Sequence, residues 1–161
     1  MVGRDLDPAD EQIVRRCYEQ LRRFAAIVGR PVAEPDDLVQ EALVRTLRVS
    51  PLHQLDHPEA YLRRTILNLA RNERRSRRRR DAAFARVAQM DGARDELPSD
   101  LADLDRLSAR DRALLYLKVV EGRTYAEMAI ELAMREDAVR ARVSRATRQL
   151  RVLIVEELRD G

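Results

Sequence analysis

The feature that most constrains the fold of this chain is the spacing of its apolar residues, which recur every three or four positions. In the first segment Cys17, Leu21, Phe24 and Val28 follow this rule, which places them on one face of an α-helix. The alternation of apolar and polar residues that is typical of a half-buried strand persists nowhere. The sequence therefore predicts an all-α fold.

Punctuating residues divide this pattern into helices. Gly29 and Pro31 end the first predicted helix, a second fits DDLVQEALVRTLR at residues 36–48, and Pro58 suits the first position of a third. Between residues 81 and 99 the apolar spacing fades, and DGARDELPSD has the glycine, proline and acidic content of a linker. We expect two small helical domains, residues 8–80 and 100–157, joined by a flexible linker at 81–99.

The second domain contains the outline of a helix-turn-helix. Thr124 and Glu127 have the spacing of a capping box, so a helix is predicted to begin at Tyr125. After a short break a longer, arginine-rich helix follows, and its apolar face centres on Val143 and Leu150. The opposite face combines small residues, which allow close approach to DNA, with arginines suited to guanine edges and phosphates. The predicted DNA contacts are Arg123, Thr124, Arg135, Asp137, Arg140, Ala141, Arg142, Ser144, Arg145 and Arg148.

The charge is distributed unevenly. The net charge is only +3, yet residues 63–80 contain nine arginines and one glutamate, a balance of +8, and residues 81–111 have a balance of −4. A dense cationic stripe beside an acidic stretch is typical of a polyanion-binding face. Two alternatives stay open for the stripe alone, a solvated helix face with a disordered tail and a nuclear-localisation signal. An ordinary helical hairpin is likewise an alternative to the helix-turn-helix.

Several functional classes have little support. No apolar run reaches 18 residues and the opening MVGRDLDPADEQ is acidic, so we expect a cytoplasmic protein with no membrane insertion. Cys17, the one cysteine, allows no internal disulfide, and with His53 and His57 it makes no metal-ligand pattern. We expect no metal, no cofactor and no catalytic constellation of the recombinase or nuclease type. Stacking-type RNA binding is disfavoured because aromatic residues make up 4% and each can be placed on an apolar face.

In this order, the segments resemble the extracytoplasmic-function (ECF) group of bacterial sigma-70 factors, the initiation subunits of RNA polymerase. DDLVQEALVRTLR is similar to the helix that binds the polymerase clamp, and HPEAYLRRTILNLARNERRSRRRR to the promoter-melting segment. RTYAEMA and VRARVSRA are similar to the domain that reads the minus-35 element. The resemblance spans roughly residues 10–80 and 100–155.

The resemblance implies a non-catalytic protein that binds core RNA polymerase at the beta-prime clamp and the beta flap, reads promoter DNA and promotes melting. It also implies a cognate anti-sigma partner, and it places a pocket for a flipped base in loop 49–57. The implied polymerase contacts are Asp37, Leu38, Gln40, Glu41, Leu43, Arg45 and Leu47. The implied minus-10 contacts are Asn68, Arg71, Asn72, Arg75 and Arg78.

The chain departs from the family pattern at a few positions. Leu43 and Leu47 stand where an aromatic pair is usual, and Asp137 follows the turn where glycine is common. Ala133 replaces the usual glycine of the turn, which predicts a strained or altered backbone there. The alternative function is a helix-turn-helix regulator with no polymerase subunit role, whose N-terminal helices sense a ligand or dimerise. It would need a ligand cavity or a coiled-coil seam, and the sequence shows neither.

Overall fold

The structure, a computed structural model, describes residues 6–87 and 102–160. Within these ranges it contains seven α-helices and no strand, which confirms the all-α prediction. A 3-10 turn at Leu52–Gln54 precedes the third helix, and a π-helical turn at Tyr116–Val120 extends the fifth. The helices are α1 (Pro8–Val28), α2 (Pro35–Val49), α3 (Pro58–Val87), α4 (Ala102–Arg106), α5 (Ala109–Leu115), α6 (Tyr125–Glu131) and α7 (Glu136–Asp160).

The first domain is a bundle of α1, α2 and α3. Each of these helices begins with a proline, which suits the first turn because its missing N–H would have no partner there. The faces predicted from apolar spacing meet in the core, where Phe24, Val39 and Ile66 are fully buried. Cys17 is 1% exposed and lies in this core, as predicted. Burial, followed by the charge of Glu59, raises the pKa of its thiol.

The third helix is longer than the sequence predicted. It continues to Val87, so the first part of the predicted linker at 81–99 is helical. The rest of that linker lies outside the described residues. Residues 81–86 are all exposed, and Phe84 is 71% exposed, which corrects the expectation that every aromatic lies on an apolar face. Alanine and arginine in DAAFARV favour helix even where no core is present to support it.

The second domain is formed by α4 to α7. The π-helical turn ends close to Gly122, whose φ of 64° suits glycine because it has no Cβ to clash. Leu114, Met128 and Val139 are fully buried where α5, α6 and α7 meet. The apolar positions predicted for the helix-turn-helix therefore do form its core.

The two domains contact each other directly, whereas the sequence predicted only a tether between them. Arg112 of α5 is 1% exposed and reaches the end of α1. It donates to the carbonyl oxygens of Ile27 (2.9 Å), Val28 (2.7 Å) and Arg30 (2.8 Å). Because α1 has no basic residue in its last turn, a side chain from the other domain supplies the cation that a helix C-terminus favours.

The first domain makes a reciprocal contact with the second. Arg74 of α3 donates to the carbonyl oxygens of Leu107 (2.7 Å) and Asp105 (2.8 Å), at the C-terminal end of α4. Each domain therefore holds a helix end of the other through an arginine. The two faces also meet through the rings of Phe24 and Tyr116, which lie edge to face with centroids 5.9 Å apart.

A buried ion pair completes this interface. Arg63 of α3, 1% exposed, pairs with Glu121 at 2.8 Å and with Glu131 of α6. Burial alone would lower the pKa of Arg63, but the two carboxylates outweigh it and raise that pKa. Arg63 belongs to the arginine stripe in the sequence, yet it faces protein and not solvent.

Candidate nucleic-acid interface

The helix-turn-helix is held by its predicted capping box. The Thr124 hydroxyl accepts a hydrogen bond from the Glu127 N–H at 3.2 Å, and the Glu127 carboxylate accepts one from the Thr124 N–H at 2.7 Å. The bond from the Thr124 N–H, and then one that the Thr124 hydroxyl donates to the same carboxylate at 2.9 Å, lower the pKa of Glu127. The turn adopts the backbone expected for glycine, since Ala133 has a φ of 52°. The Met134 N–H donates to the Ala129 carbonyl at 2.9 Å, which closes the turn and directs the chain into α7.

The outward face of α7 is the one that helical spacing predicted. Val139, Val143 and Ala146 are buried. The predicted small residues and arginines on the opposite side are exposed. The exposed members of the predicted set are Thr124, Arg135, Asp137, Arg140, Ala141, Ser144, Arg145 and Arg148, while Arg123 and Arg142 are partly buried.

The arginines of this set differ in how far they are already engaged. Arg135 pairs with Asp137 at 3.0 Å, and Arg140 pairs with Glu136 at 2.8 Å and lies over the Tyr125 ring. Arg142 and Arg123 pair with carboxylates of the same domain at 2.9 and 3.5 Å. Arg145 and Arg148 form no ion pair within the described residues. They are therefore the guanidinium groups of the set most available for DNA.

A second polar stripe runs along α3. Asn68, Asn72, Arg75 and Arg78 are exposed and Arg71 is partly buried. The two asparagines are four residues apart, so they lie on one face of the helix. The structure thus presents all five predicted minus-10 contacts at the surface. It also brings Arg71, Arg75 and Arg78 to one cleft together with Arg142 of the second domain.

The α2 surface carries the residues implied for polymerase binding. Asp37, Gln40, Glu41 and Arg45 are exposed, and Arg45 pairs with Glu41 at 2.6 Å. Leu38 is 4% exposed and supports the helix from the core, whereas Leu43 and Leu47 are only partly buried. Sequence reasoning missed Val44, an apolar side chain that is 44% exposed between them. Val44 directly follows Leu43 and lies off the apolar face of the helix, and this position is the sequence signal that indicates its exposure.

The α2 surface is anchored to α1 by Asp36. Its carboxylate accepts hydrogen bonds from the Tyr18 hydroxyl at 2.8 Å and from the Arg22 guanidinium at 3.1 Å. These two bonds, that of Tyr18 first, lower the pKa of Asp36. The direction in which α2 presents its exposed side is therefore set by polar contacts as well as by the core.

Loop 49–57 is fixed by a residue that sequence reasoning missed. Asp10 is 3% exposed, and its carboxylate accepts the His53 N–H at 2.9 Å and lies 2.8 Å from the His53 Nδ1. A carboxylate at the start of α1 therefore orients a loop 43 residues away in sequence. The only sequence signal was that Asp10, an acid, lies on the apolar side of α1. An acid in the first turn also stabilises a helix by itself, so this signal does not point to a partner in the loop.

Neither a metal site nor a membrane helix accompanies these surfaces in the described ranges. No group of three His, Cys, Asp or Glu side chains there could hold a metal ion. No helix there is long and apolar enough to cross a bilayer. The features that remain are the exposed faces of α7, α3 and α2 and the loop before α3.

Comparison with known proteins assigns both domains. The model for Sigma-70 region 2 matches residues 13–80, and that for Sigma-70, region 4 matches residues 104–150. A probable RNA polymerase sigma factor, RfaY of Xanthomonas campestris pv. campestris, is 32% identical over 87% of this chain and 39% of its own length. The ECF RNA polymerase sigma factor SigE of Mycolicibacterium smegmatis is 30% identical over 89% and 61%. The chain thus spans less than two thirds of these two relatives.

A third relative and two solved structures match over more of their length. The ECF RNA polymerase sigma factor SigL of Mycobacterium tuberculosis is 28% identical over 92% of both chains. CnrH, solved with the cytosolic domain of CnrY, is 29% identical over 92% of this chain and 88% of its own, with a TM-score of 0.60. The sigma factor RpoE of Bartonella quintana, solved with the anti-sigma factor NepR, is 22% identical over 89% and 95%, with a TM-score of 0.64, a likeness of fold alone.

The two family models match in the same order as the two helical domains, and the relatives that match across both are sigma factors. The α7 arginines predicted to contact DNA and the amide and arginine stripe of α3 lie within the matched segments. The chain therefore belongs to the sigma-70 family, in its extracytoplasmic-function group.

Proposed function

We propose that this chain is a sigma factor that binds core RNA polymerase in the cytoplasm, directs it to specific promoters and promotes DNA melting, with no catalytic activity of its own. The proposal is carried by the presence of two surfaces in one chain. The second domain has a helix-turn-helix with two available arginines, and the first domain has the exposed amide and arginine stripe of α3. A regulator with a single helix-turn-helix has no need of the second surface.

The minus-35 element is read by α7. The small side chains of Ala141 and Ser144 lie at the centre of the exposed face of α7, so this helix can enter the major groove. Arg145 and Arg148 reach base edges or phosphates. To bind a phosphate, Arg135 must first leave the carboxylate of Asp137, and Arg140 must leave that of Glu136. They contribute less net affinity for that reason, because the attraction gained is offset by the pair lost.

The minus-10 element is read by α3 and the loop before it. The amides of Asn68 and Asn72 can donate to and accept from base edges, while Arg75 and Arg78 hold phosphates. Loop 49–57, fixed by Asp10, receives a base extracted from the stack. Extraction costs a few kcal/mol, which an ordered loop can offset because it is already organised.

Polymerase binding uses the exposed side of α2. Leu43, Val44 and Leu47 supply partly exposed apolar area, and the acids around them supply orientation and charge. A cognate anti-sigma protein is a further proposed partner, because the family resemblance implies one and CnrH was solved with the cytosolic domain of CnrY.

Run-off transcription tests the main proposal. Genomic fragments are transcribed with core polymerase alone and with core polymerase plus this protein, and new start sites are mapped. We expect starts that depend on the protein and share two spaced elements. If the protein binds DNA but adds no start site with core polymerase, the regulator without a polymerase role is correct and the proposal is wrong.

Single substitutions separate the two surfaces. Arg145→Ala is expected to reduce transcription mainly from promoters with the minus-35 element, whereas Arg151→Ala, a matched exposed arginine on α7, changes little. Equal loss with and without the element would count against base reading by α7.

Polymerase docking has its own test. Glu41→Arg and Leu43→Ala are expected to reduce co-purification with core polymerase, while Glu19→Arg, on the exposed side of α1, leaves it intact. Normal recovery of the α2 variants would refute the assignment of this surface.

A further inference from the structure

The domain interface encloses a cleft lined by arginine from both sides. The cleft has a volume of about 290 Å³. From the first domain, α3 contributes Arg71, Arg74, Arg75 and Arg78. The second domain contributes Arg106, Arg110 and Arg142. Three of these seven side chains, Arg74, Arg106 and Arg110, belong to no DNA-binding or polymerase-binding set.

The cleft holds more positive charge than the protein neutralises. The carboxylate of Asp111 pairs with Arg142 at 2.9 Å, and that of Asp105 pairs with Arg30 at 3.2 Å. Arg74 is bound to carbonyl oxygens only, so its charge is not cancelled. Within the described ranges Arg71, Arg75, Arg78, Arg106 and Arg110 form no ion pair at all.

Mutual repulsion in the cleft costs stability. On α3, Arg71 with Arg75 and Arg74 with Arg78 are like-charged pairs four residues apart, an arrangement that destabilises a helix. Burial, and then the charge of Arg78, lowers the pKa of Arg74. Burial, and then the charges of Arg71 and Arg142, lowers the pKa of Arg110. An anion seated among these groups would relieve that repulsion.

The shape of the cleft selects the kind of anion. Its volume lies at the lower end of the range for small-molecule pockets. Two of the arginines are held in place, Arg74 by carbonyls and Arg142 by Asp111, so a ligand meets a partly organised set of planar forks. Such forks bind phosphate oxygens two at a time.

We propose that this cleft binds the phosphate chain of a small oligophosphate, inorganic or part of a nucleoside polyphosphate. The anion bridges α3 and the α4–α5 region and so stabilises the contact between the two domains. Since Arg71, Arg75 and Arg78 are also assigned to the minus-10 element, the bound anion competes with promoter DNA. This competition rests on the proposed function, whereas the binding itself does not.

Calorimetric titration of the full chain tests the binding, with sodium tripolyphosphate and ATP as separate probes and inorganic phosphate as the short comparison. Metal is omitted and the salt is held near ~0.15 M so that screening is constant. We expect about one tripolyphosphate per chain and binding at least about tenfold weaker for inorganic phosphate, because a single phosphate meets fewer forks. Equal affinity for tripolyphosphate and ATP would identify the phosphate chain as sufficient, and tighter ATP binding would add a nucleoside contact.

Two double variants are compared. Arg106→Ala with Arg110→Ala removes two arginines of the cleft, and Arg151→Ala with Arg159→Ala removes two arginines outside it as a control of equal charge. The first pair is expected to weaken tripolyphosphate binding at least about tenfold and the second to leave it nearly unchanged, since charge alone would affect both. Circular dichroism and the exposed single variant Arg106→Ala, expected to give a smaller loss, separate lost binding from lost folding. Equal loss in both pairs, several weak anions per chain, or binding of ATP without tripolyphosphate would overturn the proposal.

Transcription is measured with the same variants. Arg106→Ala with Arg110→Ala is expected to retain protein-dependent transcription, because neither residue is assigned to DNA or polymerase. Loss of anion binding with transcription intact supports the cleft and the proposed function together. Anion binding in a protein that starts no transcription would refute the proposed function and leave the site in place.

Discussion

Replacing Arg112 by methionine removes the donor that joins α5 to the end of α1 while it keeps an unbranched apolar stem. Arg112 donates five hydrogen bonds, to the carbonyl oxygens of Ile27, Val28, Arg30, Leu104 and Leu107. Hydrogen bonds from a charged donor contribute at least roughly 1.5 kcal/mol each. Burial, the largest cause, and then the charge of Arg74 lower the pKa of Arg112 to about 10, which corresponds to a cost of ~3 kcal/mol.

The difference leaves a net loss of about 4 kcal/mol for Arg112→Met, because the five bonds together outweigh the cost of burying the charge. The free energy of unfolding is measured by urea denaturation of the full chain, with Arg23→Met, an exposed arginine of α1, as the control. The control is expected to change stability by less than ~0.5 kcal/mol. Amide exchange at the end of α1 should also become faster in Arg112→Met alone. A loss below ~1 kcal/mol, or unchanged exchange there, would refute this account of the interface.

Three further outcomes follow from local geometry. Ala133→Gly is expected to raise the free energy of unfolding by about 1 kcal/mol, because glycine accepts the φ of 52° without strain. The control Ala126→Gly, inside α6, should lower the free energy of unfolding. A loss of stability in both variants would contradict the inference that the backbone at Ala133 is strained. Thr124→Ala should cost about 1 kcal/mol. Because the hydrogen bonds from the Thr124 N–H and hydroxyl lower the pKa of the Glu127 carboxylate, their contribution is present at neutral pH and is lost as the pH falls through the acidic range. Thr124→Ala keeps the N–H bond and should retain most of this dependence, whereas Glu127→Gln should lack it. Burial raises the pKa of the Cys17 thiol, so the native protein should resist thiol reagents at pH 8. Stability should fall as the pH rises past 9.0, the usual thiol pKa, because the thiol then ionises more readily in the unfolded chain. Rapid labelling of the folded protein would contradict the burial of Cys17.

Local rules predicted most of the helices and the orientation of α7. The capping box, the prolines at helix starts and the three- and four-residue spacing act over a few positions, so the sequence displays them directly. Ala133 illustrates the same point, since its positive φ follows from the order of the two helices around it. The length of α3 was underestimated because DAAFARV has helix propensity without an apolar face, and spacing alone detects only helices that have a core to cover.

Side-chain partners that are distant in the sequence could not be predicted from it. Arg112 lies next to Ala113 and Leu114 in an amphipathic segment. Three of its five acceptors are carbonyls 82 to 85 residues earlier, groups that every residue possesses. Asp10 and His53 are equally ordinary in sequence and specific only in space. A side chain whose partner is main-chain oxygen leaves no complementary residue for a sequence pattern to reveal.

Arginine in this chain therefore has three separate roles that composition cannot distinguish. Arg145 and Arg148 are exposed and form no ion pair within the described residues, so they are available to DNA. Arg63 and Arg112 are buried and join the domains. Arg74 joins the domains through the end of α4 and also adds charge to the cleft. A lysine at Arg112 could not replace all five bonds, because its ammonium has three N–H donors on one nitrogen, whereas the guanidinium has five spread over a planar fork. The arginine stripe at residues 63–80 therefore combines an observed domain interface with the DNA surface and the anion site that we propose, all within one helix. The role of each arginine depends on whether its position on α3 faces the other domain or solvent.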